Sequence, residues 1–273
     1  MKIFTSLLAA TCLASAHPDP SHTLEHLDEH LAESPDDTDL LRQKAILLLE
    51  SGHPHEVPEL IARLLSLEPE QPRNLLLDAK LQSSIGHTES SIRKLREIVS
   101  NHPKFAPAWD FLASQLEADG RCDEAIDAKV RFLRLAEKPS PSDVMTCAAW
   151  LRDRADDGDK SQAIDILDRG LEKLGCLSGL QKMAIDLELE LKRYDSALRR
   201  IDLLTARFRP SVALCTQRAE IEWLAGRKSD AWKSYDAAIA LLDALPLDRR
   251  AEPQVQAHRA VLSERIADCL RPD

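Results

Sequence analysis

The feature that most constrains this chain is a fixed spacing of glycines. Gly52, Gly86 and Gly120 follow one another at intervals of 34 residues. Gly158 comes 38 residues after Gly120, and Gly226 comes 68 residues after Gly158, which is twice the same interval. A period of this size is typical of a repeat array, in which each unit buries its apolar surface against its neighbours.

Apolar residues keep the same register within each repeat. Five residues after each turn position comes a mostly small residue, and larger apolar residues mostly follow four and seven positions later. This spacing places the three positions on one face of a helix. Lys129 and Gly170 are the exceptions to this apolar pattern. The low content of Gly (8) and of aromatic residues (4%) also favours an all-helical chain. The three sets are Val57, Ser91, Ala125, Ala163, Ala197 and Ala231; Ile61, Leu95, Lys129, Leu167, Ile201 and Tyr235; and Leu64, Ile98, Phe132, Gly170, Leu204 and Ala238.

The third and sixth repeats carry a more specific motif. Residues 109–116 read W-x2-L-A-x2-L and are followed by Ala125, and residues 231–238 read A-x3-Y-x2-A. The chain therefore resembles the tetratricopeptide repeat family, whose 34-residue helix–turn–helix unit has the pattern W-x2-L-G-x2-Y, A-x3-F and P. The resemblance implies an all-α fold, a right-handed α-solenoid of about six such repeats.

The register also predicts the organisation of the chain. A half-repeat helix over 21–34 is expected to place Leu24, Leu27 and Leu31 on one face, and a capping helix is expected to begin at Pro253. The apolar stripe of the capping helix is predicted to contain Val255, Leu262, Ile266 and Leu270. The expected segments are a signal peptide (1–16), an N-terminal segment with the half repeat (17–37), six repeats (38–245) and a C-terminal capping helix with a tail (246–273).

Four residues are inserted in the fourth repeat, because its glycine is displaced from the 34-residue spacing. Two places are open for them. One is the turn DRADDGDK (153–160), which we favour because Trp150 then fits the end of the first helix, and the other is the loop KPSPSD (138–143).

The N-terminus has the pattern of a secretory signal. Lys2 is followed by an apolar run and by the small residues Ala14, Ser15 and Ala16. We expect cleavage after Ala16 and export to the periplasm or the medium, as for an exported bacterial-type repeat protein. A lipid-modified Cys12 is the alternative. No later segment is long and apolar enough to span a membrane.

The net charge narrows the possible partners, and the cysteine content limits the possible disulfides. The formal net charge is −10, or −11 once Lys2 has been removed with the signal peptide. An acidic chain is a poor nucleic-acid binder, because such binding depends on neutralising phosphates with Lys and Arg. Of the six cysteines, five remain after cleavage of the signal peptide. Export permits disulfides, but this odd number leaves at least one thiol unpaired within a monomer. The other interpretation is that the cysteines are small buried apolar residues. These cysteines are Cys122, Cys147, Cys176, Cys215 and Cys269.

Histidines near the N-terminus carry the alternative function. His22, His26 and His30 recur every four residues, which places them along one helix face and suggests a metal site in a periplasmic metal-binding or metal-delivery protein. Residues 26–30 also match the zinc-peptidase pattern H-x-x-E-H. A catalytic zinc needs a third ligand and a concave site, and the repeats leave no room for a peptidase domain, so we expect no enzyme activity and no cofactor.

The family resemblance implies a function as a scaffold that binds a protein or peptide partner in a concave groove. In that family the groove is lined by the first helix of each repeat, at repeat positions 2, 5, 9 and 12. A clamp for a C-terminal carboxylate is not expected, because position 9 of the first repeat is Ile46 and the asparagines of such a clamp are missing. Trp223 is either an exposed aromatic anchor or a residue packed between repeats 5 and 6. The predicted groove residues are Arg42, Lys80, Asp110, Ser114, Lys182, Asp186, Glu220 and Trp223.

Overall fold

The computed structural model describes residues 20–271, with side chains described from Thr23 onward. The predicted signal peptide, its cleavage after Ala16 and Cys12 lie outside these residues. The described part of the chain is helical with no strand, which confirms the predicted all-α fold of helix–turn–helix repeats. Two compact units meet in sequence after Gly120, and each is described by itself.

Unit 1 contains six α-helices within the described residues. Several of them begin with proline, whose missing N–H and fixed φ suit the first turn of a helix. A 3₁₀ turn at Pro54–Glu56 precedes α3. The helices are α1 (Pro20–Glu33), α2 (Thr38–Glu50), α3 (Pro58–Leu67), α4 (Pro72–Ser84), α5 (Thr88–Asn101) and α6 (Ala106–Ala118).

Unit 2 contains nine further α-helices among the described residues. The helix α8 is capped by Ser140, whose hydroxyl accepts a hydrogen bond from the backbone N–H of Asp143 at 3.0 Å. The helices are α7 (Cys122–Leu135), α8 (Pro141–Arg154), α9 (Asp159–Leu174), α10 (Ser178–Glu190), α11 (Tyr194–Arg207), α12 (Val212–Leu224), α13 (Lys228–Asp243), α14 (Leu247–Arg250) and α15 (Pro253–Leu270). None of the helices in residues 20–271 has the length and apolar character needed to cross a bilayer.

The apolar register forms the core. Of the positions predicted to share a helix face, all except Phe132 are buried, and Phe132 is half-buried against the core of α8 and α9. In unit 1, α1 adds buried Leu27 and half-buried Leu24 and Leu31 to the core of α2 and α3. Within each unit, neighbouring helices therefore bury their apolar faces against one another.

The two exceptions in the register have physical explanations. Buried Lys129 forms an ion pair with Asp143, with 2.5 Å between Nζ and Oδ1. Gly170 is required by close packing, because a Cβ atom there would lie 2.7 Å from Cγ1 of Val144. A charge in the core is thus paired, and a missing side chain makes room for a neighbour.

The four inserted residues of the fourth repeat are divided between both proposed positions and the helix α8. Gly158 is the fourth residue of the turn 155–158, whereas Gly120 is the second residue of the turn 119–121, so two of the inserted residues lie in the favoured turn. The linker 136–140 is one residue longer than the linker 102–105, and α8 has 14 residues against 13 in α6. The longer α8 accommodates one inserted residue, because an added helical residue gains a backbone hydrogen bond.

The C-terminal capping helix departs from the prediction at its end. Leu262 is buried and Val255 and Ile266 pack beside it, but Leu270 is 68% exposed and Cys269 is buried instead. The described cysteines are all free thiols; burial raises the pKa of Cys147 to about 12. The interpretation as small buried residues therefore fits Cys147 and Cys269, whereas Cys122 is exposed.

Candidate functional site

A pocket of about 410 Å³ opens on the first helices of the repeats in unit 1. It lies on α2 and α4 and reaches the start of α6. Its volume falls in the range of about 300–1,000 Å³ that is usual for ligand-binding clefts. The lining residues are Asp39, Arg42, Gln43, Ile46, Arg73, Leu76, Leu77, Lys80, Phe105 and Pro107.

The floor of the pocket is apolar. Leu76 and Leu77 are almost fully buried, whereas Ile46 is 40% exposed, although it belongs to a helix that otherwise packs its apolar residues inward. Phe105 adds a half-buried ring at the start of α6. An exposed isoleucine inside a concave surface is a place where a ligand side chain gains apolar burial.

Two cations stand beside this floor. Arg73 and Lys80 are both exposed, and among residues 20–271 neither forms an ion pair with a carboxylate. The ammonium of Lys80 lies 5.8 Å from the centre of the Phe111 ring, within the range of a cation–π contact. Both charges are therefore available to a ligand that carries acidic groups.

Arg42 lines the same pocket but its guanidinium is engaged within the protein. Its Nε donates a hydrogen bond to Oδ1 of Asn74 at 2.8 Å, and its Nη2 lies 2.9 Å from Oε2 of Glu68. The Arg42 hydrogen bond holds the pKa of Glu68 below its ordinary value. Arg42 also pairs with Asp39, which neutralises the acidic residue of the pocket wall. Arg42 thus shapes the pocket and keeps little free charge for a partner.

The predicted groove residues on α6 lie outside the pocket lining. Asp110 is half-buried, and Ser114 is exposed with its hydroxyl donating to the Asp110 carbonyl oxygen at 3.1 Å. The acceptor lies four residues before the serine, so this hydrogen bond stays within one turn of α6. The structure therefore brings Arg42 and Lys80 together and leaves Asp110 and Ser114 apart from them.

The predicted groove residues in unit 2 lie on α10 and α12. Lys182 and Asp186 are exposed on α10, and Glu220 is exposed on α12. Trp223 is half-buried against the core formed by α12, α13 and α15, with the ammonium of Lys228 at 5.9 Å from its ring centre. Trp223 is therefore packed and not an exposed anchor, but it packs within the sixth repeat and its capping helix and not between repeats 5 and 6.

Unit 2 has a larger pocket of about 630 Å³ among α11, α12 and α13, and its walls are charged. Here most of the charges neutralise one another, although exposed Arg199 has no carboxylate partner among the described residues. Arg227 pairs with Asp195 at 2.5 Å, Arg218 pairs with Asp202, and Glu222 accepts a hydrogen bond from Ser234 at 2.7 Å. Side chains already held in internal pairs have less to offer a ligand. The lining residues are Asp195, Leu198, Arg199, Asp202, Arg218, Glu222, Arg227, Asp230, Lys233 and Ser234.

The histidines of α1 are partly described. The rings of exposed His26 and His30 meet edge to face, with 4.4 Å between their centres. The side chain of His22 lies outside the described residues. Within those residues no three His, Cys, Asp or Glu side chains lie close enough together to hold a metal. The three-histidine site stays a prediction.

Sequence analysis missed the importance of Arg73, Ile46 and Asn74. The repeat register contained the signal for Arg73, since it occupies position 2 of the second repeat, one of the positions that face the groove. Ile46 occupies position 9 of the first repeat, where the sequence shows only a departure from a carboxylate clamp. Asn74 is 0% exposed and its contact with Arg42 spans two repeats, which the sequence does not reveal.

Comparison with solved structures identifies the same architecture elsewhere. The chain is similar to a chain in a structure described as Naa15/Naa10 bound to HypK-THB, with a TM-score of 0.65 and 13% identity over 85% of this chain and 34% of that chain. It also matches a tetratricopeptide repeat protein from Parabacteroides merdae (TM-score 0.42, 16% identity, 93% of both chains). A third match is YrrB, described as a TPR protein with an unusual peptide-binding site (TM-score 0.45, 14% identity, 74% of this chain and 97% of that chain).

Matches to sequence families are absent. No protein-family model matches the chain, and no curated protein matches it in sequence. At identities this low, similarity of structure is evidence about the fold alone.

Proposed function

We propose that this chain, which has the fold of tetratricopeptide repeat proteins, is a non-catalytic scaffold that binds a protein or peptide partner in the groove formed by the first helices of its repeats. The fold is one that serves in general as a protein-interaction scaffold. One observation carries the proposal for this chain: the pocket on α2 and α4 combines exposed Ile46 with the unpaired cations Arg73 and Lys80. Apolar contact then supplies affinity, and charge selects the partner.

The proposal is tested by crosslinking the partner in the cell. The tagged chain, an Ile46→Glu variant and a Lys182→Glu/Glu220→Lys variant are purified after mild crosslinking. Both variants change only exposed side chains and should fold, which circular dichroism checks. We expect a partner that is captured by the unmodified chain, lost by Ile46→Glu and retained by the double variant. A partner retained by both variants would overturn the groove as its binding surface.

We further propose that the protein acts outside the cytoplasm, in the periplasm or the medium. Residues 1–16 support this location, because Lys2, the apolar run that follows it and the small residues before His17 have the pattern of a secretory signal. N-terminal sequencing of the protein from its own cell is expected to begin at His17. A mature protein that begins at Met1 and fractionates with the cytoplasm would contradict the proposal.

The alternative function as a metal-binding protein is supported by the adjacent rings of His26 and His30. Two imidazoles one helical turn apart can share a metal ion. Zinc is titrated into the full chain and into a His26→Ala/His30→Ala variant by calorimetry. Stoichiometric binding that the variant loses would favour this function, and equal weak binding by both chains would dismiss it.

A further inference from the structure

The pocket of unit 1 has an arrangement that specifies the chemistry of its ligand beyond the proposed scaffold function. Arg73, Leu76, Leu77 and Lys80 are spaced at i, i+3, i+4 and i+7 along α4. Residues with this spacing share one face of a helix. The apolar floor therefore lies between two cations along a single line.

The distance between the cations can be matched to an extended peptide. Seven helical residues rise by about 10 Å from Arg73 to Lys80. In an extended segment, residues i, i+2 and i+4 point to the same side and span about 13 Å. Long, flexible Arg and Lys side chains bridge the remaining difference, so acidic residues at i and i+4 can meet both cations while residue i+2 enters the apolar floor.

We infer that the pocket binds an extended partner segment of the pattern acidic–x–apolar–x–acidic, with its carboxylates at Arg73 and Lys80 and its apolar side chain against Ile46 and Leu76. This inference rests on the proposed function and names the chemistry of its partner. A free chain terminus is disfavoured, because the remaining cation, Arg42, already bonds to Asn74 and Glu68.

The negative charge of the whole chain means that a preference for acidic over basic peptides would be evidence for this specific site. At a formal net charge of −10, non-specific attraction favours basic peptides over acidic ones. A preference for an acidic peptide must therefore come from a local site that overcomes the overall repulsion. Asp39 does not cancel this site, because it pairs with Arg42.

The test measures the binding of fluorescent peptides to the full chain by anisotropy. The probe contains Glu-Ala-Leu-Ala-Glu, and the comparison peptides contain Lys-Ala-Leu-Ala-Lys and Glu-Ala-Ser-Ala-Glu. We expect the probe to bind about tenfold more tightly than the basic peptide, since two partly exposed ion pairs together are worth about that factor. The serine peptide is expected to lose a similar factor, because it has no apolar side chain to bury.

Two charge reversals identify the site. Arg73→Glu/Lys80→Glu is expected to weaken binding of the probe about tenfold or more. The matched control is Arg93→Glu, which reverses an exposed arginine on α5 of the same unit, outside the pocket lining. The control is expected to bind as the unmodified chain does. Thermal unfolding monitored by circular dichroism verifies that each variant is folded.

The outcomes separate this inference from the proposed function. Equal or tighter binding of the basic peptide, or unchanged binding of the probe by the double reversal, would overturn the acidic segment. If the cellular partner is still lost by Ile46→Glu in that case, the groove function stands and only the ligand chemistry is wrong. If Ile46→Glu retains the partner while the double reversal loses the probe, the peptide site is supported and the partner binds elsewhere.

Discussion

The pocket on α2 and α4 of unit 1 and the pocket among α11, α12 and α13 of unit 2 differ in what their charged residues do. The second is larger, about 630 Å³ against about 410 Å³. Two of its three lining arginines are held by carboxylates of the same unit, Arg227 by Asp195 and Arg218 by Asp202, whereas Arg199 donates a hydrogen bond to the hydroxyl of Ser196. In unit 1, Arg73 and Lys80 have no carboxylate partner among the described residues. Two unpaired cations on either side of an apolar floor, and not volume, are what distinguish a candidate binding surface in this protein.

Unit 2 also contains a buried cluster of charged residues, in which the charges again pair with one another. The Nε of buried Arg200 donates a hydrogen bond to Oε1 of Glu188 at 2.9 Å. Its Nη1 donates to Oε1 of Gln181 at 3.1 Å and lies 2.8 Å from Oδ1 of Asp168. The second oxygen of Glu188 is buried without a partner within the described residues. Charge in unit 2 therefore maintains the fold, whereas exposed charge in the pocket of unit 1 does not.

The largest effect is expected on removing the arginine of this buried cluster. Arg200→Ala leaves the Glu188 carboxylate buried without its cation, which should lower the free energy of unfolding by about 3–5 kcal/mol. Urea unfolding of the full chain measures it. Arg199→Ala, at an exposed position on the same helix, should change the free energy by less than about 0.5 kcal/mol. Equal losses in the two variants would show that the buried pair has no special role.

A smaller effect is expected for the engaged residues of unit 1. Asn74 accepts the Nε hydrogen bond of Arg42 and its amide lies 3.1 Å from Oε2 of Glu68. Asn74→Ala should therefore lower the free energy of unfolding by about 1–3 kcal/mol, because it leaves buried polar groups unsatisfied. Lys80→Ala should cost less than about 0.5 kcal/mol. A larger cost for Lys80→Ala in urea unfolding would place that cation with the structural residues and break the comparison.

The turns of the repeats give a third contrast. Gly86 of unit 1 has a φ of 84°, and Lys192 of unit 2 adopts a φ of 56° at the corresponding position. An L-residue is strained there and glycine is not. Lys192→Gly should raise the free energy of unfolding by about 0.5–1 kcal/mol, after allowance for the greater freedom of glycine in the unfolded chain.

The reverse change is the control for the turns. A Cβ atom at Gly86 would meet nothing within 4 Å, so Gly86→Ala tests the backbone alone. It should lower the melting temperature while Lys192→Gly raises it. A fall in melting temperature for Lys192→Gly would mean that the lysine side chain contributes more than its strained backbone costs.

The smallest effect is expected in how the free energy of unfolding changes with pH. Burial raises the pKa of Glu188 above its ordinary value of 4.5, against the opposing effect of Arg200. The folded chain then holds this proton more tightly than the unfolded chain does. The resulting stabilisation is full below pH 4.5 and is lost as the pH rises through the higher folded-state pKa.

Comparison with Glu188→Gln isolates this slope. The unfolding free energy of the unmodified chain, minus that of the variant, is expected to fall as urea titrations move upward from pH 4.5. A difference that instead rises with pH would mean that the Arg200 ion pair outweighs the burial of the carboxylate.

Sequence patterns predicted the repeats because each buried position depends on its own helix. Leu95 and Ile201 are buried, as their helical spacing indicated. The role of Arg42 was not predictable, because position 5 specifies the face of the helix and says nothing about Asn74, which comes from the next repeat. The place of the inserted residues was predicted only in part, because the spacing of glycines counts residues without showing how helices and loops share them.

The most direct measurement is hydrogen–deuterium exchange of the full chain with and without the Glu-Ala-Leu-Ala-Glu peptide. The account predicts slower exchange in α2 and α4 of unit 1, around Ile46 and Lys80, and no change in residues 195–234 of unit 2. The Arg73→Glu/Lys80→Glu variant should show neither effect. Protection confined to residues 195–234 would contradict the claim that unpaired charge beside an apolar floor marks the binding surface.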